Sequence, residues 1–146
     1  MADALREAAL ALEHDDVPVG ALVVDLRTGN VVARAHNARE RDNDPTAHAE
    51  LLALRDAART AGTWRLNGHA LVVTLEPCPM CAGAAWAARI DRIVFGAADP
   101  KAGSAGTLYN FAADPRLNHE IAVTSGVRAE ACGELLTAFF RSRRTS

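Results

Sequence analysis

The stretch HALVVTLEPCPMCAGAAWAARIDRIVFG, residues 69–96, decides the fold. Its first seven residues are a β-branched apolar run with the composition of a buried strand. Pro77 and Pro79 follow at once. Proline is tolerated in the first turn of a helix, where a missing N–H costs little. The small-residue run behind them therefore reads as a helix, and RIVFG (92–96) as the next strand. Strands that alternate with helices imply a layered α/β domain whose sheet is at least partly parallel.

Working outward, residues 2–13 place Leu5, Ala8, Ala9 and Leu12 at helical spacing. GALVVDL (20–26) and NVVARAHN (30–37) flank the turn residues RTG and read as a hairpin. ARERDND is a polar loop. Asp44 is the expected N-cap of a second helix, with Pro45 at its first position and an end near Thr60. Downstream, AADPKAGSAGTLYN is loop-like, EIAVTSG a short strand, and Arg128 to Arg143 a closing helix. No repeat, linker or composition break divides residues 1–146, so one domain is expected.

Bulk properties narrow the function. The chain has 146 residues, of which 49% are hydrophobic, enough for a real core. Its longest apolar runs are too short to span a bilayer. The N-terminus carries acids where a secretory signal would carry its basic start, so a soluble cytoplasmic protein is expected. Three cysteines in such a chain argue for metal or catalysis over disulfides. A net charge of −2 does not mark a nucleic-acid binder. The last six residues, RSRRTS, hold Arg141, Arg143 and Arg144 without an acid; on charge alone they read as a frayed, solvated end.

Cys78 and Cys81 are three apart at a helix start, where the helix dipole favours the thiolate form that binds metal. His48 stands near the start of the preceding helix. Two thiolates and one imidazole make a zinc set, and three protein ligands leave a position open for water, which is the pattern of a catalytic rather than a structural site. Glu50, two residues after His48, would lie about 200° around an ideal helix from it. It can serve the same site only at the very start of the helix, where it would move a proton. Taken singly, each feature has a plainer meaning: Cys-x-x-Cys after a strand also describes a thioredoxin-like redox pair. Together, His-x-Glu followed by Pro-Cys-x-x-Cys is the signature of zinc-dependent nucleobase deaminases.

At these residues the chain resembles the bacterial tRNA-specific adenosine deaminases. The likeness runs from about Leu5 to Arg144 through VPVGALVV, DPTAHAELLALRDAA, GTWRLNG, TLEPCPMCAGA, FGAADPKAGSAGTL, LNHE and FFRSRR. The resemblance implies a three-layer α/β/α cytidine-deaminase-like fold with a central mixed five-stranded sheet, and a homodimer with one zinc ion per subunit. It implies hydrolysis of adenosine to inosine at the wobble position of a tRNA anticodon. Carried over, His48, Cys78 and Cys81 hold zinc, and Glu50 shuttles the proton as activated water attacks C6 of the flipped base. Asn37, Ala49, Asp99, Lys101, Asn118, His119, Phe140 and Arg141 match positions that face the RNA. Asn37 also reads as a strand-end turn residue, and Phe140 as core. Ala98 and Glu120 stand where relatives commonly carry basic residues.

Other readings stay open on the residues. A free-base or nucleoside deaminase acting on guanine or cytosine would use the same zinc chemistry. A non-catalytic zinc module would have no need of Glu50, and a thioredoxin-like oxidoreductase would cycle Cys78 and Cys81.

Overall fold

The computed structural model describes residues 1–144, so the last two residues of the basic tail lie outside it. The elements in chain order are α1 (Ala2–Leu10), a 3-10 turn (Ala11–His14), β1 (Gly20–Asp25), β2 (Val31–His36), α2 (Arg39–Asp42), α3 (Ala49–Ala61), β3 (His69–Leu75), α4 (Pro79–Ala87), β4 (Arg92–Ala97), β5 (Ala122–Thr124) and α5 (Ala129–Arg144).

The strands form one five-stranded sheet in the order β2-β1-β3-β4-β5. β1 pairs antiparallel with both β2 and β3, whereas β3, β4 and β5 run parallel. The partly parallel sheet expected from the alternation of elements is present, in the mixed five-stranded form that the family resemblance implies. The strand–helix–strand unit at residues 69–97 forms its parallel half, with Val73 beside Phe95.

Helices cover both faces. A β-carbon on Gly20 would collide with the backbone of α1 at Ala4 and Ala8, and one on Gly96 would collide with Cys132 of α5. Gly20, Thr74 and Gly96 share one face, because Ala21 pairs with Val73 and Val73 with Phe95. So α1 and α5 lie together on that side, at a distance only glycine permits. On the other side α3 buries Ala49, Ala53, Leu54 and Ala57 in the same core cluster as Ala21, Val73 and Phe95. Leu66, Leu71, Ile90 and Ile93 are fully enclosed. Each such side chain contributes about 1.5–3 kcal/mol through its removal from water.

Five features depart from the sequence expectation. The first helix turns 3-10 at Ala11, and His14 ends that turn. The polar loop after β2 contains the short helix α2, which four charged residues form without any apolar period to announce it. The last strand keeps only Ala122–Thr124 of the longer run expected. Arg141 and Arg143 lie in the closing helix as its pattern predicts, and Arg144 extends it, against the frayed end read from charge alone; Arg143 donates to the Asp15 carbonyl at 2.8 Å.

The fifth departure moves the start of α3. Asp44 does not cap it and Pro45 is not its first residue. The Asp44 carboxylate instead closes a local turn, accepting from the N–H and hydroxyl of Thr46 at 2.8 and 2.7 Å. Ala38 N–H donates to the Ala47 carbonyl, which pins the segment to the end of β2. The helix begins at Ala49, with His48 as its N-cap in an extended conformation (φ −77°, ψ 146°).

Candidate metal centre and the cavity beside it

The parallel strands end, β1 begins and β2 finishes at one edge of the sheet. Sites in α/β sheets gather at the carboxyl ends of the parallel strands. Two helices open there. His48 is the N-cap of α3; Cys78 is the N-cap of α4, with Pro79 at its first position and Cys81 in its first turn.

The ligating atoms of His48, Cys78 and Cys81 all lie within 4.8 Å of one another. His48 Nδ1 is 3.6 Å from the Cys78 sulfur and 3.5 Å from that of Cys81. Cys78 is half-buried and Cys81 enclosed, and neither forms a disulfide. This donor set suits zinc: two sulfurs, one imidazole nitrogen and no fourth protein ligand in the group among the described residues. The three groups are linked through hydrogen bonds. A hydrogen bond from the Cys81 thiol, seconded by His48, lowers Cys78 to about 4. Cys81, the donor of that bond, is pushed far up, and the Cys78 contact raises His48.

Glu50 is 4% exposed, one residue into α3 beyond Ala49. Burial pushes its carboxyl up to about 7. The extended backbone at His48 resolves the 200° difficulty. The imidazole belongs to the chain entering the helix and Glu50 to the helix itself, so both border one cavity.

That cavity, about 240 Å³, is lined by Asn37, Arg39, His48, Glu50, Cys78 and Phe140, among others. Asn37 closes β2 and is 7% exposed. Its Oδ1 accepts the Ala49 N–H at 2.8 Å, which ties β2 to the start of α3 and leaves the amide NH2 as the group offered to a ligand. Ala49 is fully buried with that N–H engaged, so it bears on the cavity only through Asn37. A wider groove of about 810 Å³ shares Val17, Leu75, Asp99 and Phe140 with the cavity and continues past Lys101 along α5.

Not every carried-over residue comes together here. Arg141 lies off the cavity, beside Gly133 and Thr137. His119 donates from Nε2 to the Ile90 carbonyl at 2.7 Å. Ile90 precedes the start of β4, so Asn118 and His119 sit at the opposite edge of the sheet from Cys78 in the same chain.

Glu76 was missed by reading the sequence. It is 1% exposed at the end of β3. Its carboxylate accepts from the N–H groups of Asp99, Ala105 and Thr107 at 3.0–3.1 Å and from the Thr107 hydroxyl at 2.5 Å. Burial alone would raise its carboxyl; these donors outweigh it and hold the group below its ordinary value. Glu76 thus fixes the loop that carries Asp99 and Ala102 to the cavity wall. The available signal was a lone acid ending an apolar strand. We expect Glu76→Ala to cost about 3 kcal/mol by leaving buried N–H groups unpaired. A melting curve checks this, and amide exchange should quicken first at Ala105 and Thr107.

Comparison with known proteins agrees with this geometry. Residues 1–97 match the family described as the cytidine and deoxycytidylate deaminase zinc-binding region. A tRNA-specific adenosine deaminase of Bacillus subtilis is 51% identical over 144 residues, covering 99% of this chain and 88% of that relative. A solved structure from work on A-to-I editing by tRNA:A34 deaminases at the wobble position aligns with a TM-score of 0.86 at 44% identity, over 91% of this chain and 95% of that one. A guanine deaminase from Nitrosomonas europaea aligns with a TM-score of 0.82 at 25% identity, over 94% and 81% of the two chains. With a half-identical relative matched over nearly its whole length and the metal-ligand group in place, the chain belongs to the tRNA-specific adenosine deaminases of the zinc-binding cytidine deaminase family.

Proposed function

We propose that this protein hydrolyses adenosine to inosine and ammonia at the wobble position of a tRNA anticodon. The observation that carries the proposal is the metal-ligand group of His48, Cys78 and Cys81 set against a cavity that His48, Cys78 and the buried Glu50 line, in a chain half identical to an enzyme of that name. His48, Cys78 and Cys81 hold one zinc ion per subunit. Bound zinc supplies a Lewis acid that makes water nucleophilic near neutral pH. Glu50 takes the proton from the attacking water and delivers it to the departing ammonia; burial raises its carboxyl above the ordinary value, which favours taking up that proton. Asn37 orients the nucleoside through its free NH2, and Phe140 and Asp99 form the outer wall. Lys101 and Arg141 on the adjoining surface meet the anticodon backbone, and Ala49 supports Asn37.

We also read residues 1–146 as one deaminase domain acting in the cytoplasm, where thiol ligands stay reduced. A homodimer is supported by α4, whose composition is apolar on nearly every side. The loop at Ser104 bonds to Pro77 just ahead of that helix and leaves Leu108 and Tyr109 more than half exposed. In a dimer, Asn118 and His119 would serve the partner's site, since they lie far from their own.

The test supplies zinc-loaded protein with an anticodon stem-loop carrying a wobble adenosine, alongside free guanine, cytosine and adenosine. We expect inosine in the stem-loop at a kcat/KM at least ~10³-fold above any free substrate, because remote binding energy is spent on positioning the reacting base. Xanthine from guanine, with the stem-loop unchanged, would assign the nucleobase reading instead.

A further inference from the structure

We propose that Arg39, on a turn whose following residues are tied by the buried carboxylate of Asp16, binds a phosphodiester of the substrate strand beside the reacting nucleotide. Arg39 lines the cavity of His48, Glu50 and Cys78, and is the one arginine or lysine among its lining residues. It also lines the adjoining pocket between Asp15–Val17 and Phe139–Phe140, so it spans the step from cavity to surface. The neighbouring acids on the cavity wall are Glu50, Glu76 and Asp99.

The side chain is exposed and has no hydrogen bond or ion pair among the described residues. Arg41, on the same short helix, is engaged with Asp42 at 2.9 Å. The backbone beneath Arg39 is fixed. Asp16, 1% exposed, accepts the Glu40 N–H at 2.9 Å and the Arg41 N–H at 3.4 Å. His14 Nδ1 bonds the same Asp16 carboxylate at 2.5 Å, and Ala38 N–H is tied to Ala47. A cation without a partner on a tethered turn, at the entrance to a site for a base, is placed for the anionic group that flanks that base. A guanidinium fork matches phosphate in shape as well as charge. A free nucleobase would offer Arg39 nothing.

This inference rests on the RNA-strand reading of the substrate. The test measures kcat/KM on the wobble-adenosine stem-loop from about 50 to 300 mM salt for wild type, Arg39→Ala and Arg39→Lys. One lost phosphate contact to a single strand should make the log–log salt slope shallower by about 0.7 in Arg39→Ala. Its kcat/KM at low salt should fall roughly tenfold. Arg39→Lys, which keeps the charge, should retain the wild-type slope. Zinc content measured on each variant separates this from an effect through His48. A wild-type slope in Arg39→Ala, an equal loss in Arg39→Lys, or a fall in activity that follows zinc loss overturns the assignment. Wild type that leaves the stem-loop unreacted overturns the substrate reading, a result distinct from all three.

Discussion

Glu50→Gln should retain zinc and fold yet lose about 10²–10⁴-fold in the rate of inosine formation, the range that a positioned proton carrier contributes. That span is roughly 3–5 kcal/mol of transition-state stabilisation. The substitution preserves the volume of a side chain only 4% exposed, so packing on α3 is unchanged. It also leaves intact the donor group of His48, Cys78 and Cys81, which does not include Glu50. What goes is the ability to exchange a proton. Single-turnover inosine formation, read beside metal analysis of the same preparation, is the measurement. A rate within about fivefold of wild type, at equal zinc, would show that another group carries the proton.

The same residue illustrates how much the sequence could and could not reveal. Residue types and spacing were sufficient to bring His48, Glu50, Cys78 and Cys81 together, because each pair sits at the head of a helix and both helices follow the same edge of the sheet. The reason Glu50 shares a cavity with His48 was not legible. Asp44 followed by Pro45 has the pattern of an N-cap and first helical residue, but Asp44 spends its carboxylate on Thr46, and the true cap is His48. A side chain that can cap a helix can equally close a turn, and only the tertiary tie from Ala38 to Ala47 decides between them. That choice matters chemically, because it makes the two-residue spacing workable.

Glu76 and Arg39 were silent for a related reason. One is an acid after a strand and the other an arginine in a charged tetrapeptide; neither carries a periodic signal. Their roles depend on long-range placement: Glu76 accepts donors from 23 to 31 residues downstream, and Asp16 holds the turn of Arg39 from 24 residues upstream. The frame of strands and helices, by contrast, comes from local period and composition. It was read correctly except where an element is four residues or shorter, where a cap competes with a turn, and at the basic end of α5, which charge alone read as frayed.

The second large effect is expected from the ligands. Cys81→Ser should leave purified protein with less than about a tenth of an equivalent of zinc, since two remaining donors and a hard hydroxyl bind it poorly. Deamination should fall below detection. Cys81 is fully enclosed in the first turn of α4 and close in size to serine, so loss of function through misfolding is the competing account. A chelator separates the two. Zinc that binds only the folded chain stabilises it by about 2.7 kcal/mol at a hundredfold excess over Kd. Wild type and Glu50→Gln should therefore melt several degrees lower once chelated, and Cys81→Ser should melt near that lowered temperature with chelator or without it. If Cys81→Ser melts far below chelated wild type, its inactivity reports a broken fold and says nothing of the metal. If it binds a full equivalent of zinc, the ligand set is other than His48, Cys78 and Cys81. With zinc absent from Cys81→Ser and present in Glu50→Gln, and both inactive, binding the metal and moving the proton are assigned to different residues of the same two helix starts.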